Sequence, residues 1–451
     1  MFGGWDVGML GTQERHYREE GGGRGIAITG ILINFVFAFQ CEVKMNKDRF
    51  IHTLSNGLKI AVNHAPGNVS YAGLIINAGS RDEVPTLYGL AHFVEHTVFK
   101  GTRNRSSWHI SNRMEAIGGE LNAYTFKEGT AIYTVAPAGY EDRTLELLTD
   151  LVSNSTFPPS ELDKEREVII EEINAYLDTP SDAVYDQFEE LIYAGSPLSH
   201  NILGSPETVR NIKSEDCRDF VSRYYNPGNI SAFISSPAKP DRIVRLLDKY
   251  FGTFDRPEIK PVRTVPPMAP QFDLVRDNNG HQAHTIMGAR VCDRKDPRRF
   301  PLLLLNNYLG GPGMNSRLNQ ALREKRGLVY AADSFISMLS DCGLLNIYFG
   351  CDRDAVGKCL RVVRNELDKL AQNTLSPRVF NKIKEQYCGQ MLVSSDNKES
   401  MAMSLGRNLL FYNKLTDVSA TAERVREVTA EQFREVAEFL APHHCSRLTL
   451  M

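Results

Sequence analysis

Five prolines, Pro257, Pro261, Pro266, Pro267 and Pro270, fall between Phe254 and Pro270 without any helical or strand period around them. Such a stretch cannot enter a helix or the interior of a sheet, and it reads as an extended linker. It cuts the 451-residue chain into parts of similar length, and these parts look like diverged copies. Thr156-Phe-Pro-Pro-Ser-Glu-Leu-Asp-Lys in the first is answered by Thr374-Leu-Ser-Pro-Arg-Val-Phe-Asn-Lys in the second. Each follows a long amphipathic helical pattern, 140–153 and about 354–372, and Ala72–Ala78 has a partner in His284–Ala289. The expected organisation is an uncertain N-terminal extension over 1–45, a first half over 46–253, a linker over 254–270 and a second half over 271–451.

Within the first half, Phe50-Ile-His-Thr-Leu and Ser55-Asn-Gly-Leu-Lys-Ile-Ala-Val predict two strands around an Asn56-Gly57 turn. Tyr71-Ala-Gly-Leu-Ile-Ile-Asn-Ala is mostly apolar and reads as a central strand. Helices are expected over about 87–99, 108–117, 140–153, 160–178, 181–193, 206–211 and 214–224. Paired strands are expected at 121–124 and 129–136, with a return to strand at 230–235. In the register of the repeat, Glu172 falls opposite Gln390, and the segment carrying His92 and His96 falls opposite the Leu-rich run Leu302–Asn306. One copy holds polar chemistry where the other buries apolar side chains.

Composition excludes some roles. A hydrophobic content of 42% suits a folded chain with its own cores, and a formal net charge of −3 without any basic block argues against nucleic acid or an anionic membrane as partner. Cysteines stand at 41, 217, 292, 342, 351, 359, 388 and 445 with no CxxC pair, which predicts reduced thiols and a cytoplasmic protein. His443, His444 and Cys445 are adjacent and cannot easily converge on one ion, so they read as a surface tail. The apolar run Ile26–Phe39 is shorter than the roughly 20 residues of a membrane span but falls within the length of a secretory apolar segment. Met45, which leads straight into a strand-like segment, is the favoured alternative start; export or membrane association through 26–39 is the other possibility.

The chemistry centres on His92-Phe-Val-Glu95-His96. On a helix, positions i and i+4 lie on one face and i+3 sits beside them. Two imidazoles so placed can reach one zinc ion, and the carboxylate between them lies beside the open coordination position, where it can serve as general base. Such a five-residue pattern also arises by accident on ordinary helices, so a third ligand is required. The acidic stretch Glu161-Leu-Asp-Lys-Glu165-Arg-Glu167-Val-Ile-Ile-Glu171-Glu172 offers one. Most of it reads as a solvated face. Glu165 and Glu172 lie two turns apart on one face, close to Val168 and Ile169, and carboxylates in a partly buried place need a cation to offset their desolvation. Glu172 is the expected third ligand and Glu165 the expected orienting group; Glu171, about 100° round the helix, is expected to face solvent.

At this point the sequence resembles the M16 (pitrilysin-like) zinc peptidases, in the branch of mitochondrial processing peptidase and its bacterial relatives. The resemblance rests on the inverted His92-x-x-Glu95-His96 with a glutamate 76 residues after the second histidine, Glu172, and Glu165 seven before it. It covers about residues 46–445. It implies an α+β fold of two layered halves, one zinc ion per chain, and zinc-dependent hydrolysis of peptides or unfolded polypeptides. It also implies that Gly118-Gly-Glu-Leu-Asn122-Ala123-Tyr-Thr is an edge strand on which a peptide pairs through Asn122 and Ala123. Arg323 and Tyr330, in Ser316-Arg-Leu-Asn-Gln-Ala-Leu-Arg-Glu-Lys-Arg-Gly-Leu-Val-Tyr330, match a pair that contacts substrate near the scissile bond. Without the resemblance, Arg323–Arg326 is a charged helix end closed by Gly327, and Gly310-Gly-Pro-Gly313 is a flexible loop. Two subunits enclosing a chamber are implied as well, as a homodimer or as a heterodimer with a related chain. Relatives that have become non-catalytic scaffold subunits supply the rival reading, and the complete ligand set here weighs against it.

Overall fold

The chain builds each of its two sheets from the same strand plan. The computed structural model describes residues 48–278 and 280–451; the 26–39 run and Met45 lie outside these. In the first half run β1 (Arg49–Thr53), β2 (Lys59–His64), β3 (Val69–Ile76), α1 (Leu90–Thr97), α2 (Ser107–Glu115), β4 (Glu120–Phe126), β5 (Gly129–Pro137) and α3 (Glu141–Asn154). They continue as α4 (Pro159–Leu177), α5 (Pro180–Ile192), α6 (Pro206–Asn211), α7 (Ser214–Tyr224), β6 (Ile230–Ser236) and α8 (Pro240–Phe251). The second half holds β7 (Asp273–Arg276), β8 (Gln282–Val291), α9 (Arg299–Gly310), β9 (Ala331–Met338), β10 (Gly343–Asp352) and α10 (Val356–Gln372). It ends with α11 (Pro377–Ser394), α12 (Lys398–Tyr412), α13 (Val418–Glu427), α14 (Ala430–Ala437) and β11 (Ser446–Leu450).

The first sheet has the order β1-β2-β6-β3-β5-β4 and the second β7-β11-β8-β10-β9. Setting β1 aside, the two orders correspond strand for strand. The β2–β6 and β7–β11 pairs are both parallel, and the remaining pairs are antiparallel. The helices repeat in the same register: α4 and α11 begin at Pro159 and Pro377, and α5 and α12 begin equally far apart at Pro180 and Lys398. The fold is α+β in two layered halves, as the repeat and the resemblance predict.

Local differences have local causes. β2 begins at Lys59, later than expected, because Leu54–Leu58 form the turn: Leu54 N–H donates to Leu58 O at 3.0 Å, and Gly57 takes φ of 86°. The helix expected from residue 87 starts at Leu90, because Gly89 sits at φ 96°, outside the helical region. Val168 is 52% exposed, contrary to the expectation that it lies near the buried face; that face is made by Ile169, Ile170 and Ile173. Ile169 lies between Glu165 and Glu172 at helical spacing, which puts the two carboxylates beside the core.

The halves exchange helices. Val184, Phe188 and Ile192 of α5 pack on Ile286, Leu344 and Leu448 of the second sheet. In return, Ala402, Met403, Leu405 and Leu409 of α12 pack on Ala61, Ile75, Ala131 and Phe233 of the first. The approach of α12 is so close that a Cβ on Gly406 would stand 2.6 Å from the Phe233 ring, and Ser231 Oγ donates to Gly406 O at 2.6 Å. The tips of the β4–β5 and β9–β10 hairpins also meet. Glu128, with a side chain 1% exposed, pairs with Arg81 at 2.6 Å and with Arg294, and accepts from Ser340 N and Oγ at 2.9 and 2.6 Å. Arg81 also pairs with Asp341 at 2.6 Å. Arg263 of the Pro-rich segment pairs with Asp82 at 2.7 Å and donates to Glu128 O, so that segment is fastened to this knot. No helix among the described residues is long and apolar enough to cross a membrane. Cys217, Cys292, Cys342, Cys351, Cys359, Cys388 and Cys445 are free thiols.

Candidate metal centre

The helix α1 is fixed from its N-terminus. Its first turn leaves backbone N–H groups unpaired, and the buried Glu83 carboxylate accepts from Gly89 N at 2.8 Å and Ala91 N at 2.6 Å. Burial pushes the Glu83 carboxyl well above its usual range, and these two N–H groups oppose that. His200 Nε2 lies 3.0 Å from the same carboxylate, and its ring stacks on Tyr88 at 3.6 Å. Burial holds the His200 imidazole down at about 3, so it stays neutral. Beyond this cap α1 packs on α4, α7 and β4. Ala91, Phe93 and Val94 sink into the first core, which turns His92, Glu95 and His96 toward α4.

There the expected ligands converge. One donor atom each from His92, His96 and Glu172 lie within 4.8 Å of one another. Glu172 Oε2 is 3.8 Å from His92 Nε2 and 3.6 Å from His96 Nε2. Two ligands at zinc–donor lengths of about 2.0–2.1 Å in a tetrahedral shell stand about 3.4 Å apart, so small side-chain shifts close the set. The two imidazoles meet at 63° with centroids 4.5 Å apart. Glu165 Oε2 lies 3.3 Å from His96 Nδ1, and its Oε1 is paired with Lys100 at 2.6 Å. A carboxylate at this place favours a proton on Nδ1 and leaves Nε2 facing Glu172.

The electrostatics favour a cation. Burial drives the His92 imidazole well below its usual value, helped by the charge of His96, so it stays neutral and able to ligate. Burial raises the carboxyls of Glu172 and Glu95, opposed at Glu172 by His96 and at Glu95 by His96 and the Thr125 hydroxyl. Burial also pulls His96 down, but the hydrogen bond to Glu165 and the charges of Glu95 and Glu172 outweigh it and raise the imidazole. At Glu165 the bonds from His96 and Lys100 likewise outweigh burial, and its carboxyl is lowered. Two imidazoles and one carboxylate are the donors of a three-ligand zinc site with one position left open. The residues fit that ion.

Asn122 and Ala123 lie on β4, which among the described residues pairs only with β5 and leaves its other edge free. Arg323 and Tyr330 are elsewhere. Arg323 stands in a short π-type turn, Asn319–Glu324, and Tyr330 is 55% exposed with its hydroxyl donating to Asp352. These contacts stay within the second half, and no described contact joins the pair to the three ligands. Glu171 is exposed on α4, as expected. Sequence reasoning missed Lys100, Thr125 and Glu83. For Lys100 the spacing held a signal, since it lies one turn beyond His96; for Glu83 and Thr125 only the fold brings the partner close.

The sequence pattern described as insulinase (peptidase family M16) matches residues 59–206, and that of the M16 inactive domain matches residues 211–387. An uncharacterized zinc protease of Streptomyces coelicolor is 33% identical over 395 residues, covering 85% of each chain. The uncharacterized zinc protease YmxG of Bacillus subtilis is 31% identical over 86% of this chain and 95% of its own. Mitochondrial-processing peptidase subunit beta of Bos taurus is 30% identical over 95% of this chain and 89% of its own. In fold, a protease from Helicobacter pylori superposes with a TM-score of 0.82 at 23% identity, covering 89% of this chain and 99% of that one. The chain therefore belongs to peptidase family M16.

Proposed function

We propose that this chain is a zinc-dependent metalloendopeptidase acting on peptides or unfolded polypeptides. The observation that carries the reading is the convergence of His92, His96 and Glu172 within 4.8 Å, with Glu95 on the same helix as the two histidines and, beside it, a strand whose outer edge is free among the described residues. The zinc-protease names of its relatives support it.

His92, His96 and Glu172 would hold one zinc ion, and Glu165 would keep His96 in the ligating tautomer. A zinc ion bound there supplies a Lewis acid and lowers the pKa of a water toward about 7. Glu95 takes the proton of the attacking water and delivers it to the leaving amine. The free edge of β4 would pair with an extended peptide through main-chain hydrogen bonds, with Asn122 and Ala123 at the reacting position; such bonds are indifferent to side-chain sequence and available only to unfolded segments. Arg323 and Tyr330 would contact substrate from the second half, where no ligand set stands among the described residues. The domain division at 254–270 and a cytoplasmic location complete the reading. A second subunit, identical or related, would enclose the site; the bovine relative is itself named as a subunit.

The test pairs zinc content with cleavage of an unstructured peptide for wild type and Glu95→Gln. The variant is expected to keep zinc and lose at least about a hundredfold in kcat, at the low end of general-base contributions. Equal cleavage by both would remove Glu95 from the mechanism. A well-folded wild type that holds no zinc and cleaves nothing would make the chain a scaffold subunit.

A further inference from the structure

β4 does more than offer an edge. Leu121 and Ala123 face the first core on the side of α1, whereas Tyr124 and Phe126 face α12 of the second half. By the alternation of a strand, Thr125 shares the side of Ala123, and its Oγ1 donates to Glu95 Oε2 at 3.0 Å. From behind, the strand is pinned by Arg407 of α12, which donates to the Tyr124 hydroxyl and lies 5.2 Å from the centre of its ring. One side of the strand is thus clamped by the second half while the other holds the carboxylate at the metal centre.

We propose that Thr125 is a positioning residue: its hydroxyl, set by the strand that would carry the peptide, aims the Glu95 carboxylate. The proposal rests on the peptidase reading for its consequence, because Glu95 has to stand at one place relative to both water and peptide. Putting base holder and peptide platform on one strand fixes these two positions together. Pairing of a peptide along the free edge of β4 then stiffens the strand and the aim of Glu95 with it. The geometry is independent of Asn122 and Ala123, whose expected contacts are with the peptide itself.

Thr125→Val keeps the shape and removes the hydroxyl; Thr125→Ser restores it. Expected for Thr125→Val are an unchanged melting temperature, unchanged zinc affinity and KM, and a kcat reduced about tenfold or more, the loss that follows when a hydrogen bond to a charged group is removed. Thr125→Ser should recover most of that loss. Crystal structures of both zinc-loaded forms should show the Glu95 carboxylate displaced in Thr125→Val and in place in Thr125→Ser. A kcat within twofold of wild type, a matching loss of zinc, or no rescue by serine would overturn the proposal. A Glu95 carboxylate that keeps its place in Thr125→Val overturns it whether or not any peptide is cleaved. Absence of cleavage by zinc-loaded wild type would instead refute the peptidase reading, and the displacement of Glu95 would still decide the role of Thr125.

Discussion

Replacing Glu165 by Gln tests how the proposed metal centre is supported. The substitution keeps the size of the side chain but removes its charge, which serves two partners: His96 Nδ1 at 3.3 Å and Lys100 at 2.6 Å. Loss of a group that orients a ligating histidine costs between about 10 and 100-fold in metal affinity. At 3.3 Å the bond to His96 is long for its type, and the amide oxygen of Gln can still accept from Nδ1. The expected effect is therefore near the lower bound, about tenfold weaker zinc binding, or about 1.4 kcal/mol. Competition against a fluorescent zinc chelator measures it, with thermal unfolding of the metal-free forms as a control for folding. Affinity unchanged within about twofold would show that Glu165 does not orient His96. A loss beyond about a thousandfold would show that Glu165 is itself a ligand, since that exceeds what an orienting group contributes.

The hairpin knot predicts a stability effect: Glu128→Ala leaves Arg81 and Arg294 buried without their shared carboxylate, and should lower stability by about 3–5 kcal/mol in chemical denaturation. A loss under about 1 kcal/mol would mean that the hairpin tips contribute little to joining the halves. Asp333 predicts a pH effect, because burial pushes its carboxyl up to about 7 and one of its oxygens is buried without a hydrogen-bond partner among the described residues. The folded state therefore keeps a proton that the unfolded chain, with a pKa of about 3.9, releases earlier. The stability linked to this proton is full below about pH 4 and is lost as pH rises through about 7. Asp333→Asn should raise the melting temperature above pH 7 and leave it unchanged near pH 4; parallel profiles for the two proteins would contradict this.

Much of this was legible in the sequence. The Pro-rich segment and the echo of Thr156–Lys164 in Thr374–Lys382 disclosed the duplication, because a repeat keeps its turn residues and apolar spacing after its surface has diverged. The meeting of His92, His96 and Glu172 was foreseeable because i, i+3 and i+4 on α1 and i, i+7 on α4 are fixed by helix geometry. Even the contrast between the halves was visible: Glu172 is answered by Gln390 of α11, and the histidine segment by the buried leucines of α9. What stayed hidden depends on contacts between distant segments. The amphipathic pattern of 181–193 announced a helix, but nothing in it says that Phe188 packs on the sheet of the other half. Val168 was misplaced because an apolar residue next to Ile169 looks buried, although the helix turns it about 100° away. Glu83 caps α1 from across a turn, and Thr125 reaches Glu95 from a neighbouring strand; neither pairing follows any sequence period.

Locating the metal is the most direct test. Anomalous diffraction at the zinc edge, on crystals of the chain loaded with one equivalent of zinc, should place a single ion at about 2.0–2.2 Å from a nitrogen of His92, a nitrogen of His96 and an oxygen of Glu172. An ion bound elsewhere, or an ion on the two histidines with the Glu172 carboxylate turned away, would contradict the account.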